Sequence, residues 1–569
     1  MEGKISLRGQ LWRLDQSGTG DLDLENFDQS PALLRCLANR GITTAEEINR
    51  ALTPSWDHLH SPHLMAGVAE GVARVRRAAA GSEHVRVVTD YDVDGTTSSL
   101  ILQATLKLLG LKISYHIPNR KGEGYGFSVI AAEKAAEDGV NLIITADIGV
   151  KDHAAVSRAR ELGVDVIICD HHLPPGDDVP SDAIVLCPPQ AACDYPNPHL
   201  AACGVSLKFA EALLSEHPKR EAILRSMSKL AAIGTVADVV DLMNSENRAI
   251  VSLGLQQLNQ PGGSPGLQAL LEVSGVTQGA VTSSDLGYRI GPRINAAGRL
   301  TCATLVVELL NCRDPGKARE MAGELDEVNR ERRKIQDDLL DEITASIVEP
   351  APAAIVVWGE EESGWHRGVT GIVAGRLRDR FHRPALTLSA NGDELVGSMR
   401  STPELHAVEL LESVSHLLIR YGGHPAAAGF SVRRENLEEF QRAVVAAAEE
   451  AQGGEPPTPE VTADLKVSPH EIGLHLADEL AVLEPHGKGN PRPVIWIEPT
   501  AILSHRLLKE RHIKLRLEGC DADVLWWNSA EHLDDILACD RIEVLGTLEI
   551  NEWGGRRKPQ LILRDARPC

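Results

Sequence analysis

The sequence predicts an α/β fold built on a parallel sheet, and three observations carry that expectation. From residue 85 onward, short apolar runs alternate with amphipathic segments: VRVVTD, TSSLILQATLKLLG, KISYHIP, SVIAAEKAAEDG, NLIITAD, HAAVSRARELG, DVIICDHH and AIVLCPP. Such alternation is the pattern of parallel strands joined by right-handed crossovers. Aromatic residues make up only 4% of a chain that is 43% hydrophobic, so the core must be mainly Ala, Leu, Val and Ile, which suits buried strands between helices. Finally, residues capable of chemistry stand where the apolar runs end, and in an open parallel sheet that edge is where ligands bind.

The elements follow in order. Residues 1–80 read as a helical lead-in, carried by SPALLRCLANRGI, TAEEINRALT and MAGVAEGVARVRRAA, without legible chemistry. Residues 81–312 hold the alternating pattern and then two longer helices, GVSLKFAEALLSEH and EAILRSMSKLAAIGTVADVVDL. Residues 313–348 read as a polar connector helix, PGKAREMAGELDEVNRERRKIQDDLLDEI. Residues 349–452 return to α/β alternation in a smaller domain, with AAIVVWG, GVTGIVAGRLRDRF, PALTLS, LVGSMRS and YGGHPAAAGF. Glycines and prolines end the helical AAAEEAQGGEPPTPE and mark a linker. Residues 461–569 then alternate short strand-like runs with turns, as in a small OB-like β-barrel. A length of 569 residues accommodates roughly three or four domains.

The formal net charge of −23 argues weakly against a polyanionic partner. A groove can differ in sign from the molecule around it, so the basic residues must be located rather than counted. Ten scattered cysteines without a CxxC pair read as reduced thiols of a cytoplasmic protein. The N-terminus lacks an apolar targeting core, and no run approaches the length of a membrane span.

The stretch VVTDYDVDGTTSS ends an apolar run in Asp90, Asp92 and Asp94. Carboxylates this close repel one another, so the arrangement is unfavourable unless a cation lies among them. NLIITA ends in Asp147, and DVIIC ends in Asp170, His171 and His172, so three strands deliver carboxylates or imidazoles to one sheet edge. Asp238, within the apolar AAIGTVADVV, is either a fourth metal-ligand candidate or a cap on its turn. Near the C-terminus stand Trp526, Trp527 and Trp553, the last followed by the basic turn GGRRK. Aromatic faces with nearby cations suit single strands, whose bases stack. One of the two adjacent tryptophans is expected in the core.

With DYDVDG, TADIG, DHH and VADVVDL in that order, the sequence resembles the DHH phosphoesterase superfamily. GYGF, GPRINAAGR, GVTGIVAGRL, GSMRS, GGHPAAAGF and EPHGKGNPRP narrow the resemblance to the bacterial RecJ exonucleases, from about residue 30 to the end. The resemblance implies 5′-to-3′ removal of nucleotides from single-stranded DNA, with two Mn²⁺ or Mg²⁺ ions, in recombination and repair. It assigns Asp92 and Asp94 to different ions, Asp147 as the bridge, His171 and Asp238 to the side of Asp94, and Asp90 either to the other site or to holding that site's water. Of the remaining pair, Asp170 could orient an imidazole and His172 could touch the scissile phosphate or leaving group.

Arg120, Ser398, Arg400 and His424 match family positions near the nucleotide phosphates, with Gly422 and Gly423 allowing close approach, and Arg293, Asn295 and Arg299 match DNA-contacting positions. Thr301 stands where the family often has an acidic residue. A helicase or a single-strand-binding protein is implied as a partner. Two other readings stay open: a DHH phosphodiesterase of short oligonucleotides or cyclic dinucleotides, and a catalytically silent replication scaffold.

Overall fold

The computed structural model describes residues 4–18, 27–118, 126–174, 176, 178–348, 350–453, 458–553 and 555–569. It divides into two compact units: Met1–Gly298 with Cys302–Gly323 and Glu460–Cys569, and Arg299–Thr301 with Glu324–Pro459. Among the described residues no helix is long and apolar enough to cross a membrane.

In the first unit, five parallel strands lie in the order Lys112–His116, His84–Thr89, Leu142–Ala146, Asp165–Cys169 and Ile184–Leu186. Their side chains alternate between two apolar layers. Val85, Val87, Leu142, Ile144 and Ile167 join Ile101, Leu102 and Phe209 in one layer. Val88, Ile143 and Ile168 join Ala132, Ala135, Val156 and Ala159 in the other. A strand buried on both faces must be apolar at every position, which is why these runs lack the in-out alternation of a half-exposed sheet. Each fully buried aliphatic side chain contributes about 1.5–3 kcal/mol.

The barrel region belongs to the same unit. Its seven strands are ordered Leu465–Val467, Val494–Thr500, Ile542–Trp553, Arg556–Pro568, Asp523–Trp526, His512–Leu517 and Ile502–Leu508. The opening segment departs from the purely helical expectation: Leu11–Leu14 is a strand, paired in parallel with Glu460–Ala463. Helices Pro31–Ala38 and Ala45–Leu52 place Leu34, Leu37 and Ile48 in the barrel's core with Ile513, Leu515 and Trp526. Buried Arg248 ties the sheet domain to this region, donating to the carbonyls of Ala51, Leu483 and Glu484 at 2.7, 3.0 and 3.1 Å.

The second unit has a five-stranded sheet ordered Leu418–His424, Ala427–Arg433, Glu394–Arg400, Ala385–Asn391 and Ile355–Glu360. Helix Arg367–Phe381 packs on it through Val369, Val373 and Leu377. The long helix Pro315–Ser346 passes from the first unit into the second.

Candidate metal centre

The strand His84–Thr89 leads directly into Asp90, and Asp92 then caps helix Val93–Leu108 by accepting the Gly95 amide at 3.0 Å. Asp94 lies in the first turn of that helix and is buried. Its two oxygens accept the amides of Ala202 and Cys203 at 2.7 and 2.8 Å, at the start of helix Ala202–Leu213. Those amides are unsatisfied donors at a helix N-terminus, where negative charge is favoured. Nothing in the local sequence around residue 202 signals this role.

Asp147 follows the strand Leu142–Ala146 with a φ of 65°, a left-handed backbone that costs a non-glycine residue strain. Burial and then the charges of Asp92, Asp94, Asp90 and Asp238 push its carboxyl far above the ordinary carboxylate range. Asp238 closes helix Arg220–Ala237 as its C-cap and precedes Val239 at a φ of 59°. Burial and Asp94 raise its carboxyl as well, and the charge of His171 and, to a smaller extent, that of Lys488 partly oppose them. Lys488 belongs to the EPHGKGNPRP segment, and its carbonyl accepts the Leu242 amide at 2.9 Å.

His171 and His172 follow the strand Asp165–Cys169. His171 Nε2 is buried without a hydrogen bond, yet lies 3.3 Å from Asp147 Oδ1, 3.7 Å from Asp238 Oδ2 and 3.9 Å from Asp94 Oδ2. Burial opposes a charge on this ring, but Asp238 and Asp94 outweigh it and raise its pKa. Asp170 is spent on its neighbours: it accepts the amides of Val150, His171 and His172 at 3.0, 2.7 and 3.1 Å, and the His172 Nδ1 hydrogen at 2.8 Å. Burial alone would raise its pKa, but the His172 bond and the nearby imidazoles lower it to about 2.

Three overlapping groups therefore form at one sheet edge, Asp90 with Asp92 and Asp147, Asp94 with His171 and Asp238, and Asp147 with both histidines, their ligand atoms within 4.8 Å of one another. Atoms bound to a single divalent ion at about 2.1–2.2 Å lie about 3–4 Å apart, which the separations around His171 match. The donor set of carboxylates and imidazole fits Mn²⁺ or Mg²⁺. These residues fit such ions.

The other expected residues are distributed over both units. The GPRINAAGR segment is helical, Gly291–Leu300, preceded by a π-helical turn at Leu286–Ile290. A Cβ at Gly298 would collide with the Tyr91 carbonyl, so this helix presses on the loop between Asp90 and Asp92. Arg293 is buried and donates to the Arg289 carbonyl at 2.8 Å, and Asn295 lies half-buried on the same helix. In the second unit, Arg299 donates to the Gly368 carbonyl at 2.9 Å.

Ser398 and Arg400 share one face of strand Glu394–Arg400, where a Cβ added at Gly371 would meet Arg400 Nη2 at 3.0 Å and Ser398 Oγ at 3.3 Å. Glycine lets the helix come down onto these two polar groups. Arg400 has no carboxylate partner among the described residues, and burial, then Arg378, lowers its pKa. Gly422, Gly423 and His424 end the exposed strand Leu418–His424, which forms a hairpin with Ala427–Arg433.

Arg120 lies outside the described residues. Trp553 ends strand Ile542–Trp553, and its side chain is likewise outside them. Trp526 is fully buried, whereas Trp527 is 45% exposed beside His512, with ring centroids 4.7 Å apart.

Comparison with known proteins gives the same picture. The sequence matches the DHH family, N-terminal domain, over residues 84–235, the DHHA1 domain over 351–450, and the RecJ OB domain over 463–565. The single-stranded-DNA-specific exonuclease RecJ of Bacillus subtilis (strain 168) is 34% identical over 98% of this chain and 71% of its own length. That of Escherichia coli (strain K12) is 33% identical over 98% of this chain and 99% of its own. Among solved structures, RecJ in complex with Mn²⁺ from Thermus thermophilus superposes with a TM-score of 0.81 at 30% identity, covering 98% of this chain and 79% of that one. With domains matched from the sheet to the barrel and full-length relatives at this identity, the chain belongs to the RecJ family of single-stranded-DNA-specific exonucleases.

Proposed function

We propose that the protein hydrolyses single-stranded DNA from the 5′ end, releasing 5′-mononucleotides, in DNA recombination and repair. The observation that carries this reading is the convergence of Asp90, Asp92, Asp94, Asp147, His171 and Asp238 into overlapping ligand groups at the sheet edge. Asp147 belongs to two of these groups, one with Asp90 and Asp92 and one with His171 and His172, and would be the carboxylate shared between two ions. Divalent ions bound there supply positive charge against the phosphodiester and make a water acidic enough to attack it.

The chain's own groups do the positioning. Asp94 is fixed by two amides, and Asp170 holds His172 by Nδ1. We assign His172 to the scissile phosphate or leaving oxygen.

Attack of water on phosphorus with departure of the 3′ oxygen gives a nucleotide carrying its 5′-phosphate and a remaining strand with a new 5′-phosphate. A pocket for that terminal phosphate therefore receives an equivalent end after each turnover. Ser398 and Arg400 supply a hydroxyl and a guanidinium without a carboxylate partner among the described residues, both suited to it, and Arg120, His424, Gly422 and Gly423 are assigned to the same phosphate-binding role. Arg293, Asn295 and Arg299 are assigned to the DNA strand, as is Trp553 in the barrel. A helicase or a single-strand-binding protein would supply the substrate strand, and ten free thiols suit a cytoplasmic setting.

The test uses single-stranded DNA labelled separately at its two ends, incubated with Mn²⁺. Early release of mononucleotide from the 5′ label, abolished in Asp147→Ala, supports the reading. Release from the 3′ label first, or unaltered activity in the variant, overturns it.

A further inference from the structure

Next to the segments that carry the metal ligands lies a buried polar group that no step of the hydrolysis uses. Tyr195, Asn197, Glu246 and Asn247 are all almost wholly removed from solvent in the first unit. Tyr195 Oη donates to Glu246 Oε1 at 2.6 Å, Asn197 Nδ2 donates to Glu246 Oε2 at 3.2 Å, and the His60 amide adds a third bond at 3.0 Å. None of these donors is a cation. Burial, then the charge of Glu246, pushes the Tyr195 phenol up, so it stays a donor. The carboxylate sits in the first turn of helix Ser245–Leu258, where negative charge is favoured.

Asn247 joins this group to the metal ligands. Its Oδ1 accepts Asn197 Nδ2 at 3.0 Å, and its Nδ2 donates to the carbonyl of His199 at 2.8 Å and to that of Asp241 at 3.0 Å. A carboxamide has two N–H hydrogens, and two facing carbonyls, which can only accept, use both. Those carbonyls belong to the two segments that deliver ligands to one side of the cluster. His199 lies just ahead of Ala202 and Cys203, whose amides hold both oxygens of Asp94. Ala201, at the N-cap of their helix, offers no side-chain cap, and the approach is fixed instead by Asn197 Oδ1, which accepts the His199 amide at 3.0 Å. Asp241 closes the turn that starts at Asp238 and passes through Val239 at a φ of 59°. A β-branched residue is strained there, and such a turn persists only where its surroundings over-determine it.

We propose that Asn247 is a positioning residue for the ion held by Asp94, His171 and Asp238, and that it sets the separation of Asp94 and Asp238 by tying both their segments to one carboxamide. Glu246, Tyr195 and Asn197 keep that carboxamide in its orientation. Removing a hydrogen bond that supports metal ligands weakens metal binding about 10–100-fold. The inference rests on the two-ion reading of the cluster, and the effect is confined to one ion, because neither segment carries Asp90 or Asp92. A merely structural role would lower stability and leave metal affinity alone.

Calorimetric titration of the metal-free full chain with MnCl₂ tests it without reference to catalysis. Wild type takes up two ions, and Asp238→Asn identifies the binding step that belongs to the Asp94 side. Asn247→Ala is expected to weaken that step at least about tenfold and to leave the other as in wild type. Ile250→Val, a buried apolar change on the same helix, is the control: it lowers the thermal midpoint in chelator and leaves both steps alone. If Asn247→Ala does not fold, Asn197→Ala, which removes the bonds that orient the carboxamide and the His199 amide, carries the comparison with the same selective loss expected. Mn²⁺ isotherms equal to wild type in whichever variant folds, equal weakening of both steps, or the same selective loss in Ile250→Val overturns the proposal. A wild type that takes up fewer than two ions overturns the two-ion reading, and the proposal with it.

Discussion

The carboxylate of Asp170 and the imidazole of His172 are joined at Nδ1 by a 2.8 Å hydrogen bond, and the same carboxylate caps three backbone amides around the histidine pair. One side chain therefore fixes both the ring and the turn that carries it. Asp170→Asn keeps one acceptor oxygen but turns an NH₂ toward donors. We expect kcat to fall about 10–100-fold, the usual consequence of removing a group that orients an active-site imidazole. Each buried donor left unsatisfied costs about 1–3 kcal/mol, so the melting temperature falls too. Steady-state kinetics and a thermal melt check both. Unchanged kcat in a folded variant would remove His172 positioning from the mechanism.

Asp147 sits among carboxylates that disfavour its own charge. Replacing it relieves that repulsion when no cation is present. In chelator, Asp147→Asn should melt above wild type. Addition of Mn²⁺ should reverse the order, because an ion that binds only the folded state stabilises by about 2.7 kcal/mol at a hundred times its Kd. A variant that gains as much from Mn²⁺ as wild type would place the bridging role elsewhere.

Much of the centre was legible because strand ends are local. An apolar run followed by Asp90, Asp147 or Asp170 announces both the strand and the edge it serves. Residues that meet through long-range contact were not. The amides of Ala202 and Cys203 that hold Asp94 carry no mark in their own segment, and the EPHGKGNPRP motif gives no sign that its Lys488 acts on Asp238. Likewise, Leu11–Leu14 is too short to read as a strand, and it forms because Glu460–Ala463 offers an edge more than four hundred positions away. The helix Gly291–Leu300 was obscured by its glycines and proline, yet Gly298 is what allows it to lie against Tyr91.

His486 gives the fold a pH dependence separate from the metal cluster. Its amide donates to Ser283 Oγ at 2.9 Å, and its ring is buried 3.6 Å from Glu484. Burial is the largest influence and, with Arg492, Arg40 and Arg248, outweighs Glu484 to lower its pKa to about 4. The unfolded chain, with an ordinary histidine pKa of about 6.5, takes up this proton first as pH falls. The stabilisation is thus present in full above about pH 6.5 and is lost as pH falls toward about 4, by up to about 3 kcal/mol. Urea denaturation in chelator across this window should show the slope in wild type and a reduced slope in His486→Gln. Equal slopes would assign the pH dependence to other groups.

The barrel is closed against the N-terminal strand by a buried ion pair. Arg567 lies between Trp12 and Trp496, with ring centroids 4.8 and 4.6 Å from its guanidinium carbon, and donates to Glu543 at 2.5 Å. Glu543 also accepts the Trp496 indole hydrogen at 3.0 Å. The two tryptophans meet edge to face at 5.6 Å. Arg567 and Glu543 are both almost wholly buried, so removing one leaves the other as an uncompensated charge in low dielectric. Glu543→Ala should therefore cost about 3–5 kcal/mol, whereas replacing both members with apolar residues of similar volume should recover most of that loss. The stacking against Trp12 also predicts that Glu543→Ala exposes Leu11–Leu14 to protease before the rest of the chain. Chemical denaturation of the single and double variants measures the coupling between the pair, and limited proteolysis reads the strand. Additive losses in the double variant would show that the pair is not coupled, and that the aromatic faces alone hold Arg567 and the N-terminal strand.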